Sequence, residues 1–280
     1  MRGRLLITAG IAACAATLTP AASGDGGPPP GVMHGWKGVE AGKERYVTVP
    51  AVGWTIVQAI ARNGGQVLRF TTLKGVWGIP TVANDGTTDG LLPDGRRLVL
   101  GQGSAGPYLR KHSSFALFDM KKLRELRRVR MSGHHTFDAI SPEARYLYTV
   151  EYVSKSDFAR YRVRAYDLRR GRLLPNPVND TRTSPKSMQG WPVSRTTSPD
   201  RGWVYTLYGS GHHAFIHALN TRRVEAFCID MPWREQPKKL FEFRLGLNGE
   251  GQLVVRGPRG RAVVVVDRRE LRVLSSVRNP

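Results

Sequence analysis

The sequence predicts an all-β fold, a β-propeller of about five four-stranded antiparallel blades, on three observations. Phe137–Leu174 breaks into four short apolar or alternating runs separated by turns, enough for one blade. A turn followed by an alternating strand recurs at Pro93, Pro142, Pro199 and, in weaker form, Asn248, with spacings of 49, 57 and 49 residues. Each unit then runs into a further strand that closes on a polar turn residue, at Asp119, Asp167, Asn220 and Asp267. Two landmarks in the same order in four units mark a repeat protein.

Taken in order, the chain opens on Arg2 and Arg4, then an apolar run over Leu5–Ala13 and small residues up to Ser23. That is the pattern of a secretory signal, too short to span a bilayer, so residues 1–23 are expected to direct export. Ile11-Ala-Ala-Cys14 resembles a lipobox, which makes Cys14 a candidate for lipidation; the alternative is ordinary cleavage near Ser23. Residues 24–43, rich in glycine and proline, read as a linker. The propeller domain is assigned to 44–280, a length and hydrophobic content (40%) that suffice for one core.

Within it, Glu44–Pro50, Trp54–Arg62 and Gly65–Thr72 read as strands of a first blade lacking its innermost strand. Four complete units are expected from about Asp89, Phe137, Trp191 and Phe241. The central unit is the clearest. Ser141–Ala144 forms a turn with proline at its second position, Tyr146–Tyr152 and Tyr161–Tyr166 alternate, and Asp167–Gly171 turns into Arg172–Leu174. Nothing in the sequence sets how the first and last blades meet, so ring closure is left open.

Arg45–Pro50, Tyr146–Val150 and Trp203–Gly211 carry a family resemblance. With the Ser-Pro turns and the Tyr-Asp or Val-Asp strand ends, they resemble the YVTN-type, WD-like β-propeller repeats of bacterial surface and secreted proteins. The resemblance covers residues 45–280 and implies the propeller fold. It implies no single activity, because such propellers host binding modules, lactonases and lyases.

A formal charge of +21 would ordinarily suggest nucleic acid, but an exported chain seldom meets it. The densest run, Lys121–Arg130, has two readings: a patch for an anionic polymer or lipid headgroups, or an exposed turn and outer strand whose charges blunt the blade edge. The only cysteines, Cys14 and Cys228, provide no disulfide framework. Gly101–Gly106 fits the dinucleotide-binding spacing but has no βαβ context, and no P-loop, HExxH or GxSxG signature occurs.

Blade topology sorts the remaining candidates. Strands alternate direction, so loops between second and third strands share a face with the connectors between blades. His112, His134, His135, His212 and His213 all map to that face, with Trp191 beside them. His134, His135 and His212 are therefore candidate catalytic bases. Together with His213 and Asp138 they are candidate ligands for a transition metal, the only cofactor the sequence suggests. Trp191, His112 and Trp77 are candidate ligand-binding residues, since both tryptophans are flanked by glycine and proline. His217 reads as a strand residue at a blade surface.

The functional expectation is an exported, secreted or cell-surface propeller that binds an envelope protein or other ligand, with membrane attachment through Cys14 if lipidated. One alternative is a hydrolase or lyase of the lactonase kind using the histidine face. Another is a structural surface protein holding anionic wall polymer.

Overall fold

A computed structural model describes residues 31–277, apart from 36, 104–108, 155–157, 159, 181, 183–187, 211–212 and 234–236. The signal and lipobox readings, with Cys14, lie outside the described residues, and so does His212.

The chain forms five antiparallel sheets. After β1 (Val32–Met33), blade one consists of β2 (Val39–Ala41), β3 (Glu44–Ala51), β4 (Trp54–Ala61) and β5 (Val67–Lys74). Blade two consists of β6 (Trp77–Pro80), β7 (Arg97–Gln102), β8 (His112–Asp119) and β9 (Arg124–Ser132), with β1 added beside β6. Blade three has β10 (His135–Ile140), β11 (Tyr146–Tyr152), β12 (Arg160–Asp167) and β13 (Arg172–Leu173), and β14 (Met188–Gln189) also pairs with β12. Blade four has β15 (Trp191–Thr197), β16 (Trp203–Gly209), β17 (Ala214–Asn220) and β18 (Glu225–Asp230). Blade five has β19 (Arg244–Leu247), β20 (Leu253–Arg256), β21 (Ala262–Asp267) and β22 (Arg272–Ser276). This is the predicted propeller class.

Two boundaries differ from the sequence reading. The segment 24–43, a linker by its composition, contains β1 and β2, and β2 is the inner strand of blade one that the sequence pattern does not show. Three residues between glycines are too few to show a strand period. Blade two begins at Trp77, not near Asp89, because an insertion over 81–96 separates its first two strands.

Trp77 is therefore a strand residue rather than a loop residue. It is 1% exposed between blades one and two, and its indole N–H donates to the Lys74 carbonyl at 2.8 Å. Its ring has no open face for a ligand, which removes the reason for reading it as a binding residue.

The insertion positions the interior. Asn84 and Asp85 donate their backbone N–H groups to the carbonyls of Pro192 and Val193, at 2.9 and 3.2 Å, and Asp89 pairs with Arg201. A segment of blade two thus runs along the inner edge of β15, satisfying backbone groups that an innermost strand would otherwise leave open.

Alternating side chains leave each sheet with two apolar faces, and adjacent blades bury them against each other. One cluster joins blades one and two, others join two with three, three with four, and four with five. Among the described residues no cluster joins blade five to blade one. There Trp54, Val67 and Phe70 stay exposed, Phe70 at 64%.

Candidate functional site: a pocket between blades three and four

The site begins with a break in register. β10 pairs with β11 through Phe137↔Thr149 and then Ala139↔Tyr148, so Asp138 has no partner across the ladder. Such a bulge re-aims the side chain of its extra residue. β15 carries the same break at Val193, between Pro192↔Tyr208 and Ser194↔Leu207. Beyond it, Arg195 stands opposite Thr206 of β16, which stands opposite His217 of β17 and then Cys228 of β18. This polar row lies on the face of blade four that packs on blade three, with Val204 and Tyr208 on either side.

Asp138 and Arg195 meet across that interface. Arg195 donates one Nη to Asp138 Oδ1, the other to the Asp138 carbonyl, and Nε to Thr206 Oγ1 at 2.9 Å. The two side chains are 4% and 2% exposed. Burial opposes the Arg195 charge, but Asp138, Asp89 and Tyr208 outweigh it and hold its pKa above the usual value.

Asp138 Oδ2 is buried and accepts no hydrogen bond among the described residues. Asp138 lines a pocket walled by Tyr152, Phe158, Tyr161, Trp191 and Tyr208, with about 20 Å3 of room, the size of one water-sized group. Tyr161 stacks on Tyr208 with ring centroids 5.5 Å apart, and Tyr208 stacks on Phe215 at 5.4 Å. Burial pushes the hydroxyls of Tyr152, Tyr161 and Tyr208 far up, so all three stay protonated. Trp191 is half-buried at the start of β15. The pocket opens on the connector face, where the sequence placed Trp191.

Among the described residues, His112, His134, His135 and His213 reach that face but do not converge. His135 is fully buried. Its Nε2 must donate to the Ser132 carbonyl at 3.0 Å, so its Nδ1 accepts from Thr149 Oγ1, also at 3.0 Å. Burial first, and the nearby arginines, lower its pKa. His134 accepts the Arg110 N–H at Nδ1 (3.0 Å), leaves Nε2 without a partner, and packs edge-on against Tyr152 at 5.2 Å. Burial, then Arg110 and His135, lower its pKa to about 4. His112 begins β8, exposed; His213 contacts Ser210 Oγ at 3.1 Å and stacks on Phe215.

Among the described residues no three histidine, cysteine or acidic side chains group as metal ligands. Asp138, expected as a carboxylate ligand, instead holds a buried arginine, whose charge disfavours a second cation beside it. His217 is in its expected strand but is 2% exposed between blades, not at a surface, and burial lowers its pKa to about 4.

Sequence reasoning missed Arg195, Tyr152, Tyr161 and Tyr208. One signal was present: an arginine inside a strand flanked by buried positions demands a partner.

No family model matches the sequence, and no curated protein matches it. Solved structures are similar at the level of the chain path. The dihydro-heme d1 dehydrogenase NirN in complex with DHE superposes over 85% of this chain at 14% identity with a TM-score of 0.49. The Dos1 propeller superposes over 83% at 12% identity and 0.46. A putative 6-phosphogluconolactonase from Bacteroides uniformis superposes over 86% at 14% identity and 0.45. The chain spans 44%, 56% and 71% of those three proteins. At such identity the likeness concerns fold alone, and the strand pairing itself defines the class as a β-propeller.

Proposed function

We propose that the protein is an exported β-propeller binding module of the cell envelope, taking its ligand at the pocket between blades three and four. One observation carries this reading: Asp138, one of whose carboxylate oxygens is buried without a donor among the described residues, lines an aromatic-walled pocket beside a half-exposed tryptophan. An unsatisfied buried acceptor costs free energy, and a ligand that brings one N–H or O–H donor recovers it. The pocket has room for that donor group alone, and the half-exposed Trp191 would meet the apolar part of the ligand.

The lactonase-like alternative has less support, since among the described residues no histidine lines the pocket. Export rests on the Arg-flanked apolar run at the N-terminus, and the intact mass of the exported chain would separate cleavage near Ser23 from lipidation at Cys14.

The binding test uses Trp191 fluorescence. The purified protein is titrated with envelope proteins and with small alcohols and amines, and the Trp191→Phe and Tyr161→Phe variants are run in parallel. Saturable quenching that Trp191→Phe removes and Tyr161→Phe weakens is the expected result. Identical quenching in all three proteins would remove the pocket as the site.

A further inference from the structure

The opposite face of the blade array carries a second regularity. In blades two to five the turn from the third strand to the fourth is built the same way. Asp119, Asp167, Asn220 and Asp267 each accept two backbone N–H groups at Oδ1, from the residues two and three further on, at 2.7–3.1 Å. The residue after that takes positive φ: 48° at Leu123, 69° at Gly171, 60° at Val224 and 53° at Leu271. In blades two to four the two donating residues are themselves basic, Lys121-Lys122, Arg169-Arg170 and Arg222-Arg223; in blade five the basic pair, Arg268-Arg269, stands one place earlier and Glu270 is the second donor. All are exposed except Arg268, which is half-buried.

These charges are largely unneutralised. Arg222 takes up Glu143 and Asp200, the acids of the neighbouring turns, at 3.1 and 2.6 Å. Arg170 lies 3.9 Å from Asp167. Among the described residues the other six of the eight enter no ion pair. The repeated turn sets a pair of cations at the outer edge of blades two to five, all on the face away from the pocket.

We propose that this face docks on an anionic lipid bilayer, through the phosphate headgroups. The charges sit along one end of the blade array, one pair on each of blades two to five, and do not line a groove. A thread-like polyanion could meet neighbouring pairs only, whereas a charged plane meets all four together. No helix among the described residues is long and apolar enough to cross a membrane. Docked this way, the pocket faces away from the bilayer. The inference stands apart from the pocket reading and does not depend on it.

The test is co-sedimentation of the purified mature protein with phosphatidylglycerol-containing vesicles, with pure phosphatidylcholine vesicles and soluble polyphosphate as the other arms. Binding is expected to the anionic vesicles alone, weakening as added salt shortens the screening length. Each basic residue lost should lower the partition coefficient about fivefold. The doubles Lys121→Gln/Lys122→Gln and Arg169→Gln/Arg170→Gln should each lose roughly 25-fold. The double Arg259→Gln/Arg261→Gln, in the hairpin loop of blade five on the pocket face, should stay within about twofold of the parent. These residues are exposed, so unchanged melting curves separate lost docking from lost fold. Equal binding to neutral vesicles, equal loss in the control double, or tighter turn-dependent binding to polyphosphate than to vesicles would each overturn the proposal.

Discussion

Arg195 of blade four gives three donors to its interface with blade three, and two of them go to Asp138. The bulge at Asp138 makes the pairing available, and nearly complete burial makes it costly to break. Removing one partner of a buried pair leaves the other charge desolvated and alone, at about 3–5 kcal/mol. Asp138→Ala is therefore expected to lower unfolding free energy by about that much in urea melts. Asp138→Ala combined with Arg195→Met should lose less than the two single variants added together. Strict additivity would mean that the charges do not depend on each other.

Two buried histidines give the fold a pH dependence with a definite sign. Burial holds His134 and His217 to a pKa of about 4, against 6.5 when unfolded. Above pH 6.5 neither state binds the proton, and stability is at its plateau. Between pH 6.5 and 4 the unfolded chain takes up protons that the folded chain refuses, so stability falls as pH falls, by about 1.4 kcal/mol per pH unit per histidine at most. Asp200, held down to about 2 by Ser198 and Arg222, loses its smaller, solvent-screened contribution only at lower pH. His217→Leu should reduce the slope between pH 6.5 and 4 by about one proton in urea melts taken across that range. An unchanged slope would show that His217 already titrates normally in the folded protein.

Trp77 tests the boundary of blade two. Its ring fills the seam between blades one and two, and Arg128 lies over it at 4.9 Å. Trp77→Ala should cost about 3–5 kcal/mol, the range for a large aromatic emptied from a core. A loop tryptophan at a ligand mouth would cost far less, and thermal unfolding of the variant decides between them.

These residues also show what the sequence made legible. Blade three could be read strand by strand because Tyr146–Tyr152 and Tyr161–Tyr166 alternate and both turns carry their own punctuation, a proline and an aspartate. β2 could not, since three residues hold no period, and β6 was separated from its blade by the 81–96 insertion. The pocket's face was legible from strand direction, which placed Trp191 there. Its content was not. Asp138 meets Arg195 only because a bulge turns it toward another blade, and Tyr161 meets Tyr208 across the same seam. Contacts between blades depend on the packing angle and register of sheets distant in sequence. Local pattern does not encode them, so adjacent histidines that shared a face looked more like a site than aromatics from separate blades.

The basic turns make a last prediction, about backbone alone. Four turns share one conformation, and the left-handed position is filled by Leu123, Gly171, Val224 and Leu271. Only in blade three does the residue suit that φ, since side chains carrying a Cβ pay about 1–2 kcal/mol there. A Cβ added at Gly171 would meet nothing nearer than Tyr166 Oη at 3.8 Å, an ordinary contact, so space is not what selects glycine. Gly171→Ala is accordingly expected to lower unfolding free energy by about 1–2 kcal/mol, with the two hydrogen bonds to Asp167 kept. Hydrogen exchange at the Arg169 and Arg170 amides would report those bonds directly. A neutral substitution with unchanged protection would mean that the turn tolerates a left-handed alanine as it tolerates leucine in blades two and five. Loss of stability together with loss of protection would instead place the cost in the turn's hydrogen bonds rather than in φ itself.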